Sequence, residues 1–250
     1  MTASLIRACR VCLEISGVLY EQQPVSPRKY HLQMSTTDYQ IRTDATIEAS
    51  IASELAVPGI LIEHRLIQNG DEQKLLSQEL VCLQDSSLEV RRASGAARIV
   101  ARELMARLGM PVCAIPKAAS GFPMWPKELV GSIAHDREIA IVAVAKANEI
   151  ASLGLDIEPP DAMHIELSEL VASNAELRQI GSNSLLTGLL FTAKEAVYKA
   201  VYPLDMIFLN FLDIEIDLTA RRAIVRNGRI LELRLCTYPR LVAVAYLPRQ

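Results

Sequence analysis

The sequence predicts an α+β fold built from two similar lobes. A helical pattern occurs in each half of the chain, over residues 87–108 and over residues 192–201. Apolar or alternating segments typical of strands follow both helical patterns. The pair Asn227 and Gly228, between two alternating segments, is a hairpin signal. Each half therefore offers a helix together with antiparallel strands.

The composition is that of an ordinary globular protein. The chain has 250 residues, enough for one large domain or two small ones with a proper core. Half of the residues are hydrophobic and 22% are charged, and the formal net charge of -3 gives no argument for nucleic acid binding. An anionic ligand would therefore need a local cluster of Lys and Arg.

No segment of the sequence predicts membrane targeting. The apolar run in residues 1–20 is interrupted by Arg10 and Glu14, and no small-residue cleavage site follows it. No stretch reaches the length of a membrane span, about 20 uninterrupted apolar residues. We therefore expect a cytoplasmic protein without a membrane-inserted segment.

The five cysteines are scattered and odd in number. Cys9 and Cys12 form a CxxC pair, but the chain has no second CxxC and no histidine pair that would complete a zinc site. Reduced thiols are therefore the better interpretation of this pair.

In the N-terminal half, a polar segment precedes the predicted body of the fold. Residues 22–46 combine prolines with hydroxyl side chains, which predicts a linker, and the compact part should begin near residue 45. Residues 59–67 are predicted to form a strand. The helix over residues 87–108 has apolar residues at i, i+3 and i+4 spacing, cap residues before it and Gly109 at its end.

Apolar segments in the middle of the chain predict the central strands. Residues 129–134 and 152–158 are predicted strands, and residues 139–145 are apolar on both faces, as in a central strand covered on both sides. Residues 164–181 and 192–201 fit helices. The C-terminal third alternates between apolar and polar residues, which predicts short antiparallel strands at the end of the chain.

Two carboxylates end the predicted strand 152–158. Side chains alternate along a strand, so Asp156 and Glu158 should project from one face while Ile157 points the other way. Like charges side by side repel each other, and a hard cation such as Mg²⁺ would offset that repulsion. The alternative is that both acids simply leave the sheet at an exposed edge.

A second candidate element is the helical segment 191–200. Glu195 and Lys199 are four residues apart and share one helix face. On its own this segment is explained well by structure, because Thr192 and Glu195 have the spacing of a capping box and the Glu–Lys pair would stabilise a surface helix.

The third candidate is basic. Arg91, Arg98 and Arg102 lie along one stripe of the helix 87–108, with Arg92 beside them, and their guanidinium groups suit phosphate oxygens. A solvated helix face is the alternative. His135 lies at the end of a predicted strand, where a lone histidine is more often structural than catalytic.

In this order the motifs WPKELVGSIAHD, AIVAVA, LGLDIE and FTAKEAVYKA resemble those of the 4′-phosphopantetheinyl transferases. The resemblance is to the branch typified by enterobactin synthase component D, which is related to the Sfp-type enzymes. It covers roughly residues 85–205, is compatible with the C-terminal strands and excludes the first 45 residues. The combination of the three motifs GSIxH, GxDIE and KExxYK at these separations is specific.

The resemblance implies a role for individual residues. Asp156, Glu158 and Glu195 match Mg²⁺ ligands. Glu195 also matches the base for the attacking serine, and Lys199 matches a lysine that contacts the phosphates, so Asp156, Glu195 and Lys199 are the predicted catalytic residues. The residues matched to coenzyme A binding are Arg91, Arg92, Arg98, Arg102, Trp125, Ser132, His135 and Lys199.

The implied reaction moves 4′-phosphopantetheine from coenzyme A to a serine of an apo carrier protein and releases 3′,5′-ADP, with Mg²⁺. Siderophore or other non-ribosomal peptide, polyketide and fatty-acid carriers are all compatible. The implied fold has two lobes in a pseudo-two-fold relation, each a small antiparallel sheet packed with a helix, in a monomer. We expect residues 1–44 to be an extension or linker, residues 45–155 the N-terminal lobe and residues 156–250 the C-terminal lobe.

Three positions depart from the family pattern. Ala134 replaces a hydroxyl residue that could bond a phosphate, Asp136 adds a negative charge near an anionic ligand, and Ala97 replaces a glycine. Ala134 and Asp136 favour an alternative function, a catalytically reduced module that binds coenzyme A or a carrier protein. A third hypothesis is an unrelated Mg²⁺-dependent phosphoryl-transfer enzyme.

Overall fold

A computed structural model describes residues 36–160 and 168–249, with side chains from residue 43 onward. The CxxC pair of Cys9 and Cys12 and residues 22–35 of the predicted linker lie outside the described residues. The prediction of a linker up to residue 46 is wrong at its C-terminal end, because Thr36–Ser50 form helix α1. This stretch contains no proline or glycine, and Ile47 is buried in the core, which fixes the helix against the body of the protein.

The elements follow one another in the predicted order. The other α-helices of the described residues are α2 (Ser77–Leu80), α3 (Leu88–Arg107), α4 (Ser168–Val171), α5 (Asn174–Ile180) and α6 (Ser184–Asp205). The strands are β1 (Ile60–Leu66), β2 (Leu129–His135), β3 (Ile139–Lys146), β4 (Ile150–Glu158), β5 (Ile214–Asp217), β6 (Arg222–Val225), β7 (Ile230–Cys236) and β8 (Leu241–Pro248). The α+β class is confirmed.

One predicted helix differs from the structure. Within the described part of residues 164–181, two short helices, α4 and α5, replace the single predicted helix. Ser173 separates them, because its side chain accepts a hydrogen bond from the Glu176 amide and caps the start of α5. No helix within residues 36–160 and 168–249 is long and apolar enough to cross a bilayer.

The strands form two antiparallel sheets. A three-stranded sheet has the order β1-β3-β2, and a five-stranded sheet has the order β4-β8-β7-β6-β5. Strand β3 is central in its sheet and its residues 139–145 are all buried, as the apolar run predicts. The Asn227–Gly228 pair connects β6 and β7, which are antiparallel neighbours.

Three apolar clusters fill the spaces between these layers. One lies between the two sheets and includes Leu155, Ile157 and Val242. A second packs α3 on the outer face of the three-stranded sheet, and a third packs α6 on the outer face of the five-stranded sheet. The two long helices therefore cover the outside of two sheets that face each other.

Strand β4 runs without interruption through residues 155 and 156, where the lobe boundary was expected, and it belongs entirely to the five-stranded sheet. We propose that the boundary lies instead in the turn 147–149, between the last strand of one sheet and the first strand of the other.

Helix α6 crosses β4 at Gly154. A Cβ atom at this position would lie 1.9 Å from the Ala196 carbonyl oxygen, so only glycine permits this approach. We expect Gly154→Ala to lower the free energy of unfolding by about 2–3 kcal/mol, since overpacking against backbone forces the helix outward. Urea denaturation measures this change. An unfolding free energy equal to that of the parent would show that α6 can move away at no cost.

Candidate active site

The contact between β4 and α6 brings the acidic strand end beside the helix that carries the second motif. Ser152 Oγ donates a hydrogen bond to the Ala200 carbonyl oxygen, one turn of helix away from the Gly154 crossing. Ile157 packs in the cluster between the sheets, whereas Asp156 faces α6. This is the alternation that the sequence predicts for a strand.

Asp156 and Lys199 form an ion pair at the centre of this contact. Lys199 Nζ donates to Asp156 Oδ1 at 2.7 Å, and Asp156 is 7% exposed. Burial raises the pKa of Asp156, although the charge of Lys199 acts in the opposite direction. Burial by itself would lower the pKa of Lys199, but the carboxylates around it, Asp156 foremost, raise that pKa overall. The lysine is therefore held as a cation.

The second oxygen of Asp156 has no hydrogen-bond partner. Oδ2 is buried, and no donor within the described part of the chain reaches it. A buried acceptor without a partner costs free energy, and native proteins rarely retain one without a reason. The oxygen is therefore available to a cation or a donor from a ligand.

Glu158 lies in negatively charged surroundings. Burial, together with the negative charges of Asp156, Asp136 and Glu195, raises the pKa of Glu158 to about 8 against the opposing charge of Lys199. Glu195 thus acts electrostatically on Glu158 although it comes from another segment. The three acids share one region of negative potential.

This donor set fits Mg²⁺ in its chemistry, because carboxylate oxygens are the ligands that this ion prefers and Asp156 Oδ2 is unsatisfied. Within residues 36–160 and 168–249, however, no three acidic, histidine or cysteine side chains are gathered tightly enough to form a ready-made metal site. Lys199 also occupies Asp156 Oδ1. The metal-ligand assignment therefore stays a prediction.

The raised pKa of Glu158 predicts a dependence of stability on pH in the presence of a chelator. The carboxyl is protonated up to about pH 8 in the folded protein but only up to about pH 4.5 when unfolded. Its contribution to stability is complete below pH 4.5 and is lost as the pH rises towards 8. We expect the melting temperature of the parent to fall more steeply over pH 5–8 than that of Glu158→Gln. Parallel curves from differential scanning fluorimetry would contradict this.

Glu195 lies in the interior of α6, and the capping-box interpretation is wrong. The helix begins at Ser184, where Asn183 accepts hydrogen bonds from the Leu185 and Leu186 amides. Thr192 Oγ1 instead donates to the Gly188 carbonyl oxygen. The start of the helix lies a full two turns before the segment in which the sequence pattern placed it, so Glu195 has no capping role.

A cavity of about 1230 Å³ opens beside these residues. Glu195 and Lys199 line it, together with Trp125 and with apolar and aromatic side chains that include Tyr198 and Phe208. Polar groups are few relative to apolar ones along its wall, as is usual for sites that bind small molecules.

Trp125 and Ser132 of the predicted coenzyme A set both line this cavity. The Trp125 indole lies over Gly131, where a Cβ atom would come within 2.5 Å of the ring. Its Nε1 is buried and has no acceptor among the described residues. Ser132 Oγ accepts a hydrogen bond from the Leu155 amide, so this hydroxyl also ties the two sheets together.

The basic stripe of α3 is not a solvated face. Arg98 is 2% exposed, and its Nε and Nη2 donate to the Ile115 carbonyl oxygen. Arg102 Nη1 donates to both oxygens of the buried Glu79, which also accepts from the Ile115 amide. These two arginines therefore support the loop at Ile115 from below. The sequence pattern could show their common stripe but not the loop that covers it.

Arg91 and Arg92 lie at the beginning of the same stripe. Arg92 Nε donates to Glu72 Oε2 at 3.3 Å, and the side chains of Arg92 and Glu72 are both partly exposed. The buried Arg91 Nε has no partner among the described residues. Neither arginine is among the described residues that line the cavity, so their predicted role in coenzyme A binding stays a prediction.

The supported loop carries Lys117, which sequence reasoning missed. Burial lowers the pKa of Lys117, and the positive charges of Arg98 and Lys199 lower it further. The pKa of His135, which is exposed at the end of β2, is likewise lowered, by desolvation of its ring and by the positive charges of Lys199 and Lys117. Lys117, Lys199 and His135 therefore lie close enough together for their charges to interact, and we call these three residues the basic region. The sequence did contain a signal for this residue, since Lys117 is the single lysine of the loop PKAASG (residues 116–121), which shortly precedes Trp125.

Two departures from the family pattern, Ala134 and Asp136, are accommodated by contacts within the protein. Ala134 is buried in the cluster between the sheets, so its side chain faces apolar neighbours. Asp136 is 5% exposed and pairs with Arg240, whose Nε donates to Asp136 Oδ2 at 2.6 Å. The negative charge of Asp136 is therefore compensated by an arginine of the same chain.

Lys194, beside Glu195 in the same motif, is a further residue without a sequence-based assignment. It is fully buried, and its Nζ donates to Glu176 Oε2 and to the carbonyl oxygens of Val171 and Phe211 at 2.7–2.8 Å. Lys194 therefore has a structural role, because it connects the segments at Val171, Glu176 and Phe211 to α6.

Comparison with known proteins agrees with the motifs. The family model of the 4′-phosphopantetheinyl transferase N-terminal domain matches residues 76–145, and that of the 4′-phosphopantetheinyl transferase superfamily matches residues 152–241. The second match contains Asp156, Glu158 and Glu195.

Three curated relatives are similar to the chain. The 4′-phosphopantetheinyl transferase Npt of Nocardia iowensis is 34% identical over 170 residues, which cover 65% of this chain and 75% of Npt. Svp of Streptomyces mobaraensis and PptT of Mycobacterium tuberculosis, with the same activity in their names, are 34% identical over 125 and 123 residues. These matches cover 48% of this chain and 51% and 54% of the relatives. The chain therefore belongs to the 4′-phosphopantetheinyl transferase superfamily of enzymes.

Proposed function

We propose that this enzyme transfers 4′-phosphopantetheine from coenzyme A to a serine of an apo carrier protein and releases 3′,5′-ADP. The observation that carries the proposal is the pairing of Asp156 with Lys199 across the contact between β4 and α6, beside Glu195 and a large cavity. A cation, Lys199, and a candidate base, Glu195, thus line a space large enough for an organic substrate, and the acid Asp156 is paired with that cation.

The basic region, Lys117, His135 and Lys199, would bind the phosphates of coenzyme A through the two lysine charges and the imidazole. Three charges or donors on different segments suit a polyanion better than one, because each can contact a separate phosphate group. Trp125 would contact the nucleotide or the pantetheine arm from the cavity wall, with its indole Nε1 free to donate.

The reaction forms a bond between the serine oxygen and the β-phosphorus of coenzyme A, and the bond from that phosphorus to the oxygen of 3′,5′-ADP breaks. The serine proton passes to Glu195, directly or through a water. Lys199 stabilises the charge that develops on the phosphoryl oxygens. The serine hydroxyl is a poor nucleophile, which is why a carboxylate must lie close by.

Asp156, through Oδ2, Glu158 and Glu195 would hold a divalent cation, which we propose to be Mg²⁺. When bound, such an ion compensates the negative charge of the three acids and of the pyrophosphate. Ion binding would require Glu158 to lose its proton, so the ion and the proton compete for this side chain.

The partner we propose is an apo acyl or peptidyl carrier protein, of a siderophore or other non-ribosomal peptide, polyketide or fatty-acid type. Since residues from one chain build the whole site, we propose that the monomer is the active unit. The reduced binding module loses its main support, because the charge of Asp136 is paired and Ala134 packs in the core.

The test is direct. We would incubate the purified protein with Mg²⁺, coenzyme A and a panel of apo carriers, and detect a phosphopantetheine adduct by mass spectrometry of the carrier serine. An adduct that depends on coenzyme A and Mg²⁺ is the expected result. Binding of coenzyme A in a calorimeter without any adduct would instead select the binding module. Phosphoryl transfer to another acceptor would select the third hypothesis.

A further inference from the structure

Arg240 and the turn between β2 and β3 form a buried connection between the two sheets. Arg240 lies immediately before β8 in the five-stranded sheet, and Asp136 follows β2 in the three-stranded sheet. Arg240 Nε donates to Asp136 Oδ2 at 2.6 Å, and its Nη2 pairs with Glu138 Oε2. The side chains of Arg240 and Asp136 are 10% and 2% exposed. We call this pair the Asp136–Arg240 clasp.

Asp136 also shapes the turn by its other oxygen. Oδ1 accepts hydrogen bonds from the amides of Glu138 and Ile139, both at 2.7 Å. The Asp136 carbonyl oxygen lies 3.3 Å from His135 Nδ1. One carboxylate therefore fixes the turn with Oδ1 and anchors it to the other sheet with Oδ2, and the neighbouring imidazole is held by the same residue.

The anchor lies beside the acidic strand end. Leu241, which follows Arg240, is the partner of Glu158 in the register of β4 and β8, and Ala243 is the partner of Asp156. Asp136 is also near enough for its charge to raise the pKa of Glu158. The clasp therefore joins the strand end that carries His135 to the strand end that carries the carboxylates.

We propose that the Asp136–Arg240 clasp is a positioning device that holds His135 at the correct place relative to the carboxylates of β4, and so sets the affinity for coenzyme A. This inference rests on the proposed function. It reverses the expectation that Asp136 weakens binding of the anionic substrate, because Arg240 compensates its charge. Ion pairs buried with good geometry keep groups in fixed positions more effectively than exposed pairs do.

The decisive experiment is a double-mutant cycle between Arg240→Met and His135→Ala, with coenzyme A affinity measured by isothermal titration calorimetry. We expect Arg240→Met alone to raise the dissociation constant about tenfold or more, since small displacements of a positioning group have large effects. The KM for coenzyme A should rise with it, while kcat at saturating coenzyme A changes little. In the His135→Ala background, Arg240→Met should add little further loss, because its effect acts through that imidazole.

Two further variants keep the result interpretable. Asp136→Asn retains Oδ1 as the acceptor for the turn amides but replaces Oδ2 with an NH2 group, which cannot accept from Arg240 Nε, so the turn should fold even if Arg240→Met does not. Its loss of affinity should be smaller but in the same direction. Arg222→Met, which breaks the exposed Arg222–Glu232 pair between β6 and β7, is the matched control and should bind normally.

Equal losses from Arg240→Met in the presence and absence of His135 would overturn the positioning role. A lower melting temperature with unchanged coenzyme A affinity, for both Arg240→Met and Asp136→Asn, would also overturn it. A parent protein that binds coenzyme A but modifies no carrier would contradict the proposed reaction and leave the clasp standing. A parent that does not bind coenzyme A would contradict both.

Discussion

Glu195→Gln should lower the rate of carrier modification about 10³-fold at saturating coenzyme A and carrier, within the range by which a positioned general base accelerates proton transfer. Glutamine keeps the size of the side chain but cannot accept the serine proton. Since Glu195 lies in the middle of α6 and has no capping role, the melting temperature should change little. Single-turnover labelling and differential scanning fluorimetry measure the two quantities.

The matched control for this prediction is Glu103→Gln, an exposed glutamate on α3, which should leave both quantities unchanged. Coenzyme A binding by Glu195→Gln in a chelator should remain close to that of the parent, so that the loss falls on the chemical step. A variant that labels the carrier at the parental rate would remove Glu195 from the mechanism. A large loss of stability with activity retained would restore a structural role.

Asp156→Asn should also lower labelling by about 10³-fold, because it removes the charge that pairs with Lys199 and weakens the proposed metal site. The partly buried Lys199 then lacks its closest counter-charge, so we expect a lower melting temperature as well. Raising the Mg²⁺ concentration should recover part of the activity if the remaining acids can still hold the ion.

Glu215→Gln, on the exposed face of β5, is the control for an acid lost from a strand, and it should behave like the parent. The readout that separates metal binding from ion pairing is the Mg²⁺ dependence of the rate. If Asp156→Asn shows the parental Mg²⁺ dependence with a reduced maximal rate, the residue acts through Lys199 alone. If the parent protein labels the carrier equally fast with and without a chelator, Asp156 has no metal-binding role in the reaction.

Local patterns in the sequence were sufficient for most of the secondary structure. Residues 139–145 are apolar on both faces, and they form the central strand β3 covered on both sides. The alternation at Asp156, Ile157 and Glu158 requires only the two-residue period of a strand, so their opposite directions were predictable. The need for glycine at position 154 of the same motif is explained only by the tertiary structure, because the backbone of α6 lies directly against Gly154.

The contacts of charged side chains could not be predicted from local sequence patterns. Arg98 and Arg102 share a stripe of α3, but whether a stripe faces solvent, a ligand or a loop depends on what packs over it, here the segment at Ile115. Lys117 was overlooked because its neighbours Lys199 and His135 come from other parts of the chain. The capping-box interpretation of Thr192 failed because the apolar turns before it extend the helix back to Ser184.

The sequence by itself determined the fold class, the order of strands and long helices, and the motif residues by which the family is recognised. These depend on short-range periodicity and on side-chain chemistry, which the linear chain carries directly. Only the tertiary structure decided which charges meet. Asp136 and Arg240 are 104 residues apart, and Asp156 and Lys199 are 43 apart. Such pairs form where elements that are distant in sequence pack together, and no local sequence pattern specifies which of these elements will meet.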